Sequence, residues 1–176
     1  MLGLSGGGSG LPYIRFSPQA NAWTNKEGQE IQMGQMVFDI DATQTGWLHL
    51  DVGVRNWQPD PELGRKGAQP SEAHKRGFVA RFYSKALGMV EWSSNGAGSN
   101  MALEGLYMMC SKDRAVNEGK VPVVKYVGAE LMKVGKGNTR KPKWELVQWI
   151  PRPAGMDGEN EAPVAVAPAP KVDEEF

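Results

Sequence analysis

Cysteine and histidine are scarce in this 176-residue sequence, which contains Cys110, His49 and His74 as its only residues of these types. A single cysteine cannot form an internal disulfide, and no metal-type spacing surrounds it. The sequence also lacks the phosphate-binding patterns GxxxxGK[ST] and GxGxxG and the zinc-protease pattern HExxH. We therefore expect a protein that is not an enzyme and that uses neither a cofactor nor a metal.

Long apolar runs are also missing. The opening residues MLGLSGGGSG lack the basic start and the apolar stretch of a secretory signal. No run approaches the roughly 18 apolar residues that a membrane-spanning helix needs. The sequence therefore predicts a soluble, cytoplasmic protein without a membrane partner.

The two ends of the chain differ from its centre in composition and charge. Residues 1–10 are mostly glycine and serine, and residues 153–176 are rich in proline and alanine. Residues 152–176 carry two basic and six acidic side chains, a net charge of −4, which leaves +4 on residues 1–151. We expect a flexible arm at 1–10, a folded domain at 11–152 and a disordered linker with an acidic tail at 153–176. A basic body joined to an acidic tail often accompanies nucleic-acid binding.

Apolar residues alternate with polar ones through most of residues 11–152, which is the pattern of half-buried strands. The segments that show it are LPYIRFS, QMVFDID, GWLHLDVGVRNW, GFVARFY, GMVEWS, VPVVKYVGAELMKV and PKWELVQWI. One segment, NMALEGLYMMCSK, has helical spacing, and Ser99 or Asn100 is expected to cap it. The polar, proline-rich residues 58–76 predict a mobile surface loop.

These elements predict a mainly β fold, most simply an OB-fold-like Greek-key barrel with one helix and long loops. A β-sandwich with an excursion fits the same elements nearly as well. In either architecture, one face of each strand contacts the core and the other is free for solvent or a ligand.

Arginine and flat aromatic side chains fall on the second face of several predicted strands. The set is Tyr13, Arg15, Trp47, Arg55, Trp57, Arg81 and Tyr83. Bases stack on such rings while guanidinium groups pair with phosphates, so the set predicts a surface for single-stranded nucleic acid. Because the chain has six tryptophans, two or three of them are expected in the core instead.

The glycine-rich segment GKGNTRKPK joins the last two predicted strands and supplies four cations, Lys136, Arg140, Lys141 and Lys143. We expect a flexible cationic finger that follows a phosphate backbone, with binding driven by counterion release. A solvated hairpin turn is the alternative.

The last four residues combine carboxylates with an aromatic ring. They are Asp173, Glu174, Glu175 and Phe176, and a proline- and alanine-rich spacer precedes them. Such a peptide suits a partner's pocket, in which the ring fills an apolar hole and basic residues meet the carboxylates. The same acidic segment can also cover a cationic groove until phosphates displace it.

An OB-like domain with arginines and aromatic rings on one face, followed by this linker and by the ending DEEF, resembles the single-stranded DNA-binding proteins of bacteria and bacteriophages. The bacterial proteins end in acidic residues followed by Ile, Pro and Phe, whereas here the acids run directly into Phe176, as in the phage endings. The resemblance implies a protein that coats exposed strands in phage DNA replication, recombination and repair, in the host cell cytoplasm. It also implies a tail that recruits replication or recombination proteins, and it is compatible with a homo-oligomer.

Two other functions fit the sequence. A phage structural or decoration protein would share the β architecture and the composition of the two ends. A metal-dependent nuclease could use Asp39, Asp41 and His49, since carboxylates and imidazole on neighbouring strands can bind a metal. Ser71 and His74 are close in sequence, but they lie in a predicted loop, where we expect no fixed catalytic geometry.

Overall fold

The alternation of apolar and polar residues produces a mainly β fold. The computed structural model describes residues 10–157, which form ten strands and one α-helix. The strands are β1 (Tyr13–Ser17), β2 (Ala22–Asn25), β3 (Glu30–Ile31), β4 (Gln35–Phe38), β5 (Gln44–Asp51), β6 (Val54–Pro59), β7 (Lys75–Ser84), β8 (Gly88–Ser94), β9 (Lys120–Val134) and β10 (Gly137–Pro151). The helix is α1 (Ala97–Ser111), and short 3-10 turns cover Ile40–Ala42, Ala115–Asn117 and Ala154–Asp157. The predicted fold class, mainly β with one helix, is confirmed.

All ten strands belong to one sheet, whose order is β10-β9-β4-β7-β8-β1-β2-β3, with β5 pairing to both β7 and β6. Strand β7 is central, because β8 pairs along one of its edges while β4 and β5 share the other. Only β1 and β8 run parallel among the described strand pairs. The sheet does not close, and β10, β3 and β6 form its edges.

A cluster of aromatic rings fills one side of this sheet. Trp92 in β8 meets Phe78 in β7 edge-on, with ring centroids 4.7 Å apart. Trp23 in β2 meets Trp144 in β10 at 6.0 Å, although these strands lie near opposite ends of the sheet. The sheet therefore curls around the rings into a barrel-like shape without closing. Strands β2 and β3 are not among the predicted strands, because they are too short to show an alternation.

The curled sheet has an inner face and an outer face. The inner face carries Phe78, Ala80 and Phe82 of β7 and packs against α1 within the aromatic cluster. The outer face carries the alternate residues of β7, such as Val79 and Arg81. Two small apolar clusters cover parts of the outer face, and they consist of Val37, Val121, Val123 and Met156 in one and Leu48, Trp57 and Val79 in the other.

Helix α1 begins at Ala97, after Gly96 at the N-cap position, and no side chain caps it. Ser99 and Asn100, the predicted caps, lie inside the first turn, so that prediction is wrong. The Asn100 amide is used differently: its Nδ2 donates to the carbonyl oxygen of Arg76 at 3.0 Å. The side chain therefore ties the helix to β7.

Side chains hold the segment between β6 and β7 at its first residue, Asp60. The Asp60 carboxylate accepts hydrogen bonds from Arg76 Nη1 and Nη2 at 2.9 and 2.7 Å, from Thr45 Oγ1 at 2.6 Å and from the Gly67 amide at 3.0 Å. These hydrogen bonds, chiefly those from Arg76, hold the pKa of Asp60 well below its usual range. We call residues 60–74 the tethered loop, in place of the mobile loop that its composition predicted.

The tethered loop is also held at its last residue, the buried His74. Asn56 Oδ1 can only accept, so His74 Nε2 donates to it at 2.8 Å, and Nδ1 then accepts from Ser71 Oγ at 2.7 Å. Ser71 and His74 therefore do have a fixed geometry, contrary to the expectation from sequence. The Ser71 hydroxyl oxygen also accepts from the Ala73 amide at 3.2 Å, so it closes a local turn.

The predicted cationic finger is the end of a long antiparallel hairpin. Only residues 135–136 lie in its turn, whereas Arg140, Lys141 and Lys143 occupy ladder positions in β10. Lys143 pairs with Glu130 of β9 at 3.4 Å. The prediction of a flexible finger is therefore wrong, because strand pairing satisfies the backbone of this segment.

After β10 the described chain turns back onto the outer face. Arg152 donates to both carboxylate oxygens of the buried Asp39, at 3.0 and 3.3 Å. The 3-10 turn Ala154–Asp157 follows, and its Met156 is buried in the outer-face cluster of valines. This turn lies inside the predicted linker 153–176, and the preceding ion pair of Arg152 and the burial of Met156 keep it on the sheet.

Candidate nucleic-acid interface

The β5–β6 hairpin decides which of the predicted binding residues share a face. Its turn consists of residues 52–53, and Leu50 pairs with Arg55 across it. Directly paired residues point to the same face, so Arg55 joins Leu50 on the outer face, opposite to Trp47. The prediction that Trp47 shares a face with Arg55 and Trp57 is therefore wrong, because the alternation does not continue through a turn.

Four of the predicted residues meet on the outer face. The register pairs both Tyr13 and Arg81 with Glu91, so β1, β8 and β7 bring these side chains together. Arg55 reaches the same place, since its Nη2 donates to Ser93 Oγ at 3.4 Å. We define the arginine face as the set Tyr13, Arg15, Arg55, Arg81, Glu91 and Ser93. Glu91 and Ser93 were not among the predicted binding residues. The alternation along β8 places them on one face of that strand, but only the pairing of β8 with β7 shows that this is the face of Arg81.

The arginine face carries three guanidinium groups and one carboxylate. The buried Glu91 forms an ion pair with Arg81 Nε at 3.5 Å. Nη1 of Arg55 and Nε of Arg81 make no hydrogen bond to any described residue. Both nitrogens are covered by protein atoms, so an anion at this face would contact the partly exposed remainder of the two arginine side chains.

Tyr13 is the exposed aromatic ring of the arginine face. Its side chain is 42% exposed, and the guanidinium of Arg15 lies 5.6 Å from the ring centroid. Trp57 is only 8% exposed, because it packs in an apolar cluster. Tyr83 lies against the C-terminal 3-10 turn so closely that a Cβ on Gly155 would overlap its hydroxyl. Trp57 and Tyr83 are therefore not placed to stack on bases, contrary to prediction.

Trp47, in β5, contacts the tethered loop instead. Its Nε1 donates to the carbonyl oxygen of Gly67 at 2.9 Å. The cations of Arg76 and Lys66 lie 5.0 and 5.9 Å from its ring centroid. Such contacts contribute about 0.5–1 kcal/mol each at exposed sites. Trp47 thus stabilises the loop on the inner-face side and is not part of the arginine face.

The basic residues of β10 do not join the arginine face either. Strands β9 and β4 separate β10 from β7 in the sheet. Arg140 is used internally, since its Nη1 donates to the carbonyl oxygen of Pro18 at 2.5 Å. Lys136 is exposed at the hairpin turn. The predicted binding set is therefore dispersed: four residues meet on the arginine face, four lie on the β9–β10 hairpin, and Trp47, Trp57 and Tyr83 contact other parts of the structure.

The candidate metal ligands of the nuclease alternative are apart or already paired. Asp39 is bound by Arg152, and Asp41 forms an ion pair with Arg114. His49 lies on β5, a different strand. The part of the chain that the structure describes contains no group of three His, Cys, Asp or Glu side chains that could hold a metal ion. The nuclease alternative therefore has no candidate site there.

The tail residues Asp173, Glu174, Glu175 and Phe176 lie outside the described residues. Their role in recruiting partners stays a prediction. Within residues 10–157, no helix has the length and the apolar character that crossing a membrane requires.

Comparison with known proteins finds no relative from which a function could be transferred. The geometry and charge of the arginine face therefore carry the functional argument. No protein-family model, curated protein or solved structure matches the chain.

Proposed function

We propose that this protein binds single-stranded DNA on the arginine face and is not an enzyme. The observation that carries the proposal is the convergence of Arg15, Arg55 and Arg81, from strands β1, β6 and β7, on one outer surface beside Tyr13. These residues are distant in sequence, and strand pairing alone brings them together. Guanidinium groups beside an exposed ring match the two chemical parts of a single strand, phosphates and unstacked bases.

In the proposed complex, the three arginines contact phosphates and Tyr13 stacks on a base. Stacking contributes roughly 1–3 kcal/mol per base. With one exposed ring on the face, backbone contacts dominate the binding energy. Binding is therefore tolerant of sequence and decreases steeply as salt rises, because phosphate contacts release counterions.

The wider role that we propose is the coating of exposed strands during replication, recombination and repair of phage DNA. It is supported by the resemblance of the ending DEEF and of the arginine-bearing β domain to single-stranded DNA-binding proteins. In this proposal, residues 173–176 recruit replication or recombination proteins. The body with a charge of +4 binds the strand, and the segment 152–176 with a charge of −4 competes with it.

Titration of labelled oligo-dT and of a duplex of equal length, each at two salt concentrations, tests the proposal. We expect tighter binding of oligo-dT and a loss of affinity at the higher salt concentration. Arg15→Met and Arg55→Met keep an apolar stem and remove the charge. Each should weaken binding by roughly three- to tenfold at low salt and lower the salt slope by about one.

Arg65→Met is the matched control, because Arg65 is an exposed arginine of the tethered loop, outside the arginine face. It should bind like the wild type. Thermal unfolding checks that all three variants fold. Wild-type affinity in both Arg15→Met and Arg55→Met, or tighter binding of the duplex, would refute the proposal.

A further inference from the structure

An open cleft of about 590 Å³ lies where the last residues of β5, the start of β7 and the start of α1 meet. Its volume is within the range of about 300–1,000 Å³ that is typical of small-molecule sites. A bound molecule can reach its lining, because five of the lining residues are exposed. They are Leu50, Ala73, Lys75, Gly96 and Ala97.

The cleft adjoins the arginine face. Leu50 pairs directly with Arg55, so these two side chains point to the same face. Lys75 pairs with Leu48 of the outer-face cluster, which places Lys75 on the outer face as well. Asn95, the residue after β8, donates from Nδ2 to the carbonyl oxygen of Leu48 at 2.9 Å. The arginine face and the cleft therefore form one continuous surface across β8, β7, β5 and β6.

The lining of the cleft is positively charged. Among residues 10–157, no carboxylate lines it. Of its two cations, Arg76 is neutralised by Asp60 at 2.7 Å. Lys75 makes no ion pair with any described residue. The cleft therefore combines an uncompensated cation with the apolar side chain of Leu50, which is 46% exposed. Single-strand sites likewise combine cations for the backbone with apolar surface for the bases.

We infer that a single strand bound on the arginine face continues into this cleft, where Lys75 contacts a phosphate and Leu50 contacts a base. The inference rests on the proposed function, because it extends the binding site along the same strand. Arg81 and Lys75 are six residues apart in β7, or about 20 Å at roughly 3.4 Å per residue. Even stacked nucleotides, at about 3.4 Å each, cover this distance with about six units. That length is within the roughly 4–16 nucleotides of single-domain sites.

An acidic peptide is the rival occupant, since its carboxylates would also meet Lys75. The last six residues of the chain, KVDEEF, have three consecutive carboxylates. These span at most roughly 10 Å, about half the separation of Arg81 and Lys75. Phosphates repeat along the whole strand, so one strand contacts both places at once. The continuity of the cleft with the arginine face therefore favours the strand.

Binding of oligo-dT by Lys75→Met over a series of salt concentrations tests the phosphate contact. Affinity at low salt should fall by roughly three- to tenfold and the salt slope by about one, because one phosphate contact is lost. The difference should shrink for an oligo-dT too short to reach from the arginine face to the cleft. Lys112→Met is the matched control, because Lys112 is an exposed lysine at the other end of α1. It should bind like the wild type.

Leu50→Ser tests the base contact, because it removes apolar surface and leaves the charge unchanged. Affinity should fall by roughly two- to fivefold at low and at high salt alike, with an unchanged salt slope. Leu63→Ser is the matched control, because Leu63 is 42% exposed and does not line the cleft. Its affinity should equal that of the wild type. The substituted side chains are exposed, so all the variants should keep the wild-type midpoint of thermal unfolding.

Nuclear magnetic resonance of the ¹⁵N-labelled full chain reports on the cleft directly. Oligo-dT should shift the backbone amide of Gly96 and the side-chain amide of Asn95, and the shifts should be smaller in Lys75→Met. Shifts of these signals with the peptide KVDEEF but not with oligo-dT would overturn the inference in favour of an acidic peptide.

The affinities separate a failure of this inference from a failure of the proposed function. Wild-type affinity in both Lys75→Met and Leu50→Ser, together with weaker binding by Arg15→Met and Arg55→Met, overturns the inference and leaves the proposed function intact. Wild-type affinity in both arginine variants refutes the proposed function, and the continuation of the strand from the arginine face is refuted with it.

Discussion

Asp60 is the residue on which the order of the tethered loop most depends. Its side chain is 2% exposed, and Arg76, Thr45 and Gly67 all donate to it. Burial alone would raise the pKa of a carboxyl group, but the donors from Arg76 outweigh burial and lower it. Asp60 is therefore charged in the folded protein at neutral and mildly acidic pH.

Asp60→Asn should lower the free energy of unfolding by roughly 2–3 kcal/mol at neutral pH, because it leaves Arg76 without its carboxylate partner. We expect less than the loss for a fully buried ion pair, because the Arg76 side chain is 31% exposed and solvent screens its charge. Urea unfolding measures the change. The exposed Glu62, 4.0 Å from Arg65, gives the control Glu62→Gln, which should change little.

The pH dependence of the Asp60 contribution follows from its lowered pKa. The stabilisation is fully present above the unfolded-state value near 4, and it is lost as pH falls from there toward the folded-state pKa. The stability curves of wild type and Asp60→Asn should therefore converge in acid. A constant difference between the two curves down to the acid limit would show that the charge of Asp60 is not the cause.

At the scale of elements, the β5–β6 hairpin shows how far an alternation can be followed along the chain. Within β5, residues 47 and 48 do fall on opposite faces, as the pattern predicts. The two-residue turn then makes Leu50 and Arg55 partners. As a result, the odd-numbered residues of β6 share a face with the even-numbered residues of β5. Periodicity therefore predicted the strands but not the face of Arg55, because the face depends on the number of residues in the turn.

Helix α1 contains two glycines in opposite environments. A Cβ on Gly98 would lie 2.7 Å from the backbone oxygen of Arg140, so the helix approaches β10 closely at this point. A Cβ on Gly105 would have no neighbour within 4 Å. Only Gly98 is thus required by packing.

Gly98→Ala should destabilise the protein by about 1–3 kcal/mol, because the added methyl group forces α1 away from β10. Gly105→Ala should stabilise it by about 0.5–1 kcal/mol, because alanine restricts the unfolded chain and favours the helix. Chemical denaturation of the two variants gives opposite shifts of the midpoint. Equal shifts of the same sign would contradict the close approach at Gly98.

At the scale of the whole molecule, a basic body is joined to an acidic segment. Charges of +4 on residues 1–151 and −4 on residues 152–176 attract each other across the linker. The last described residues lie on the outer face, where Met156 packs, so the acidic segment starts on the side of the sheet that carries the arginine face. The position of Met156 on the outer face is therefore compatible with the proposed competition between the acidic segment and DNA.

Removal of residues 170–176 should tighten oligo-dT binding several-fold at low salt, because three carboxylates no longer compete with phosphates. The difference should disappear at high salt, where both interactions are screened. Fluorescence anisotropy measures the affinities. Phe176→Ala keeps the side-chain carboxylates and serves as the control with unchanged affinity; a salt-independent gain on truncation would exclude a charge effect.

The sequence by itself determined the mainly β class, most strand positions, the single helix and the uneven charge, because these follow from local alternation and composition. Tertiary structure decided which residues meet. It placed Arg55 beside Ser93 and Trp47 under Lys66, since strand pairing and turn length set the faces. It also buried Trp57, because the energy of a tryptophan depends on its neighbours across the sheet and not on its place in a period.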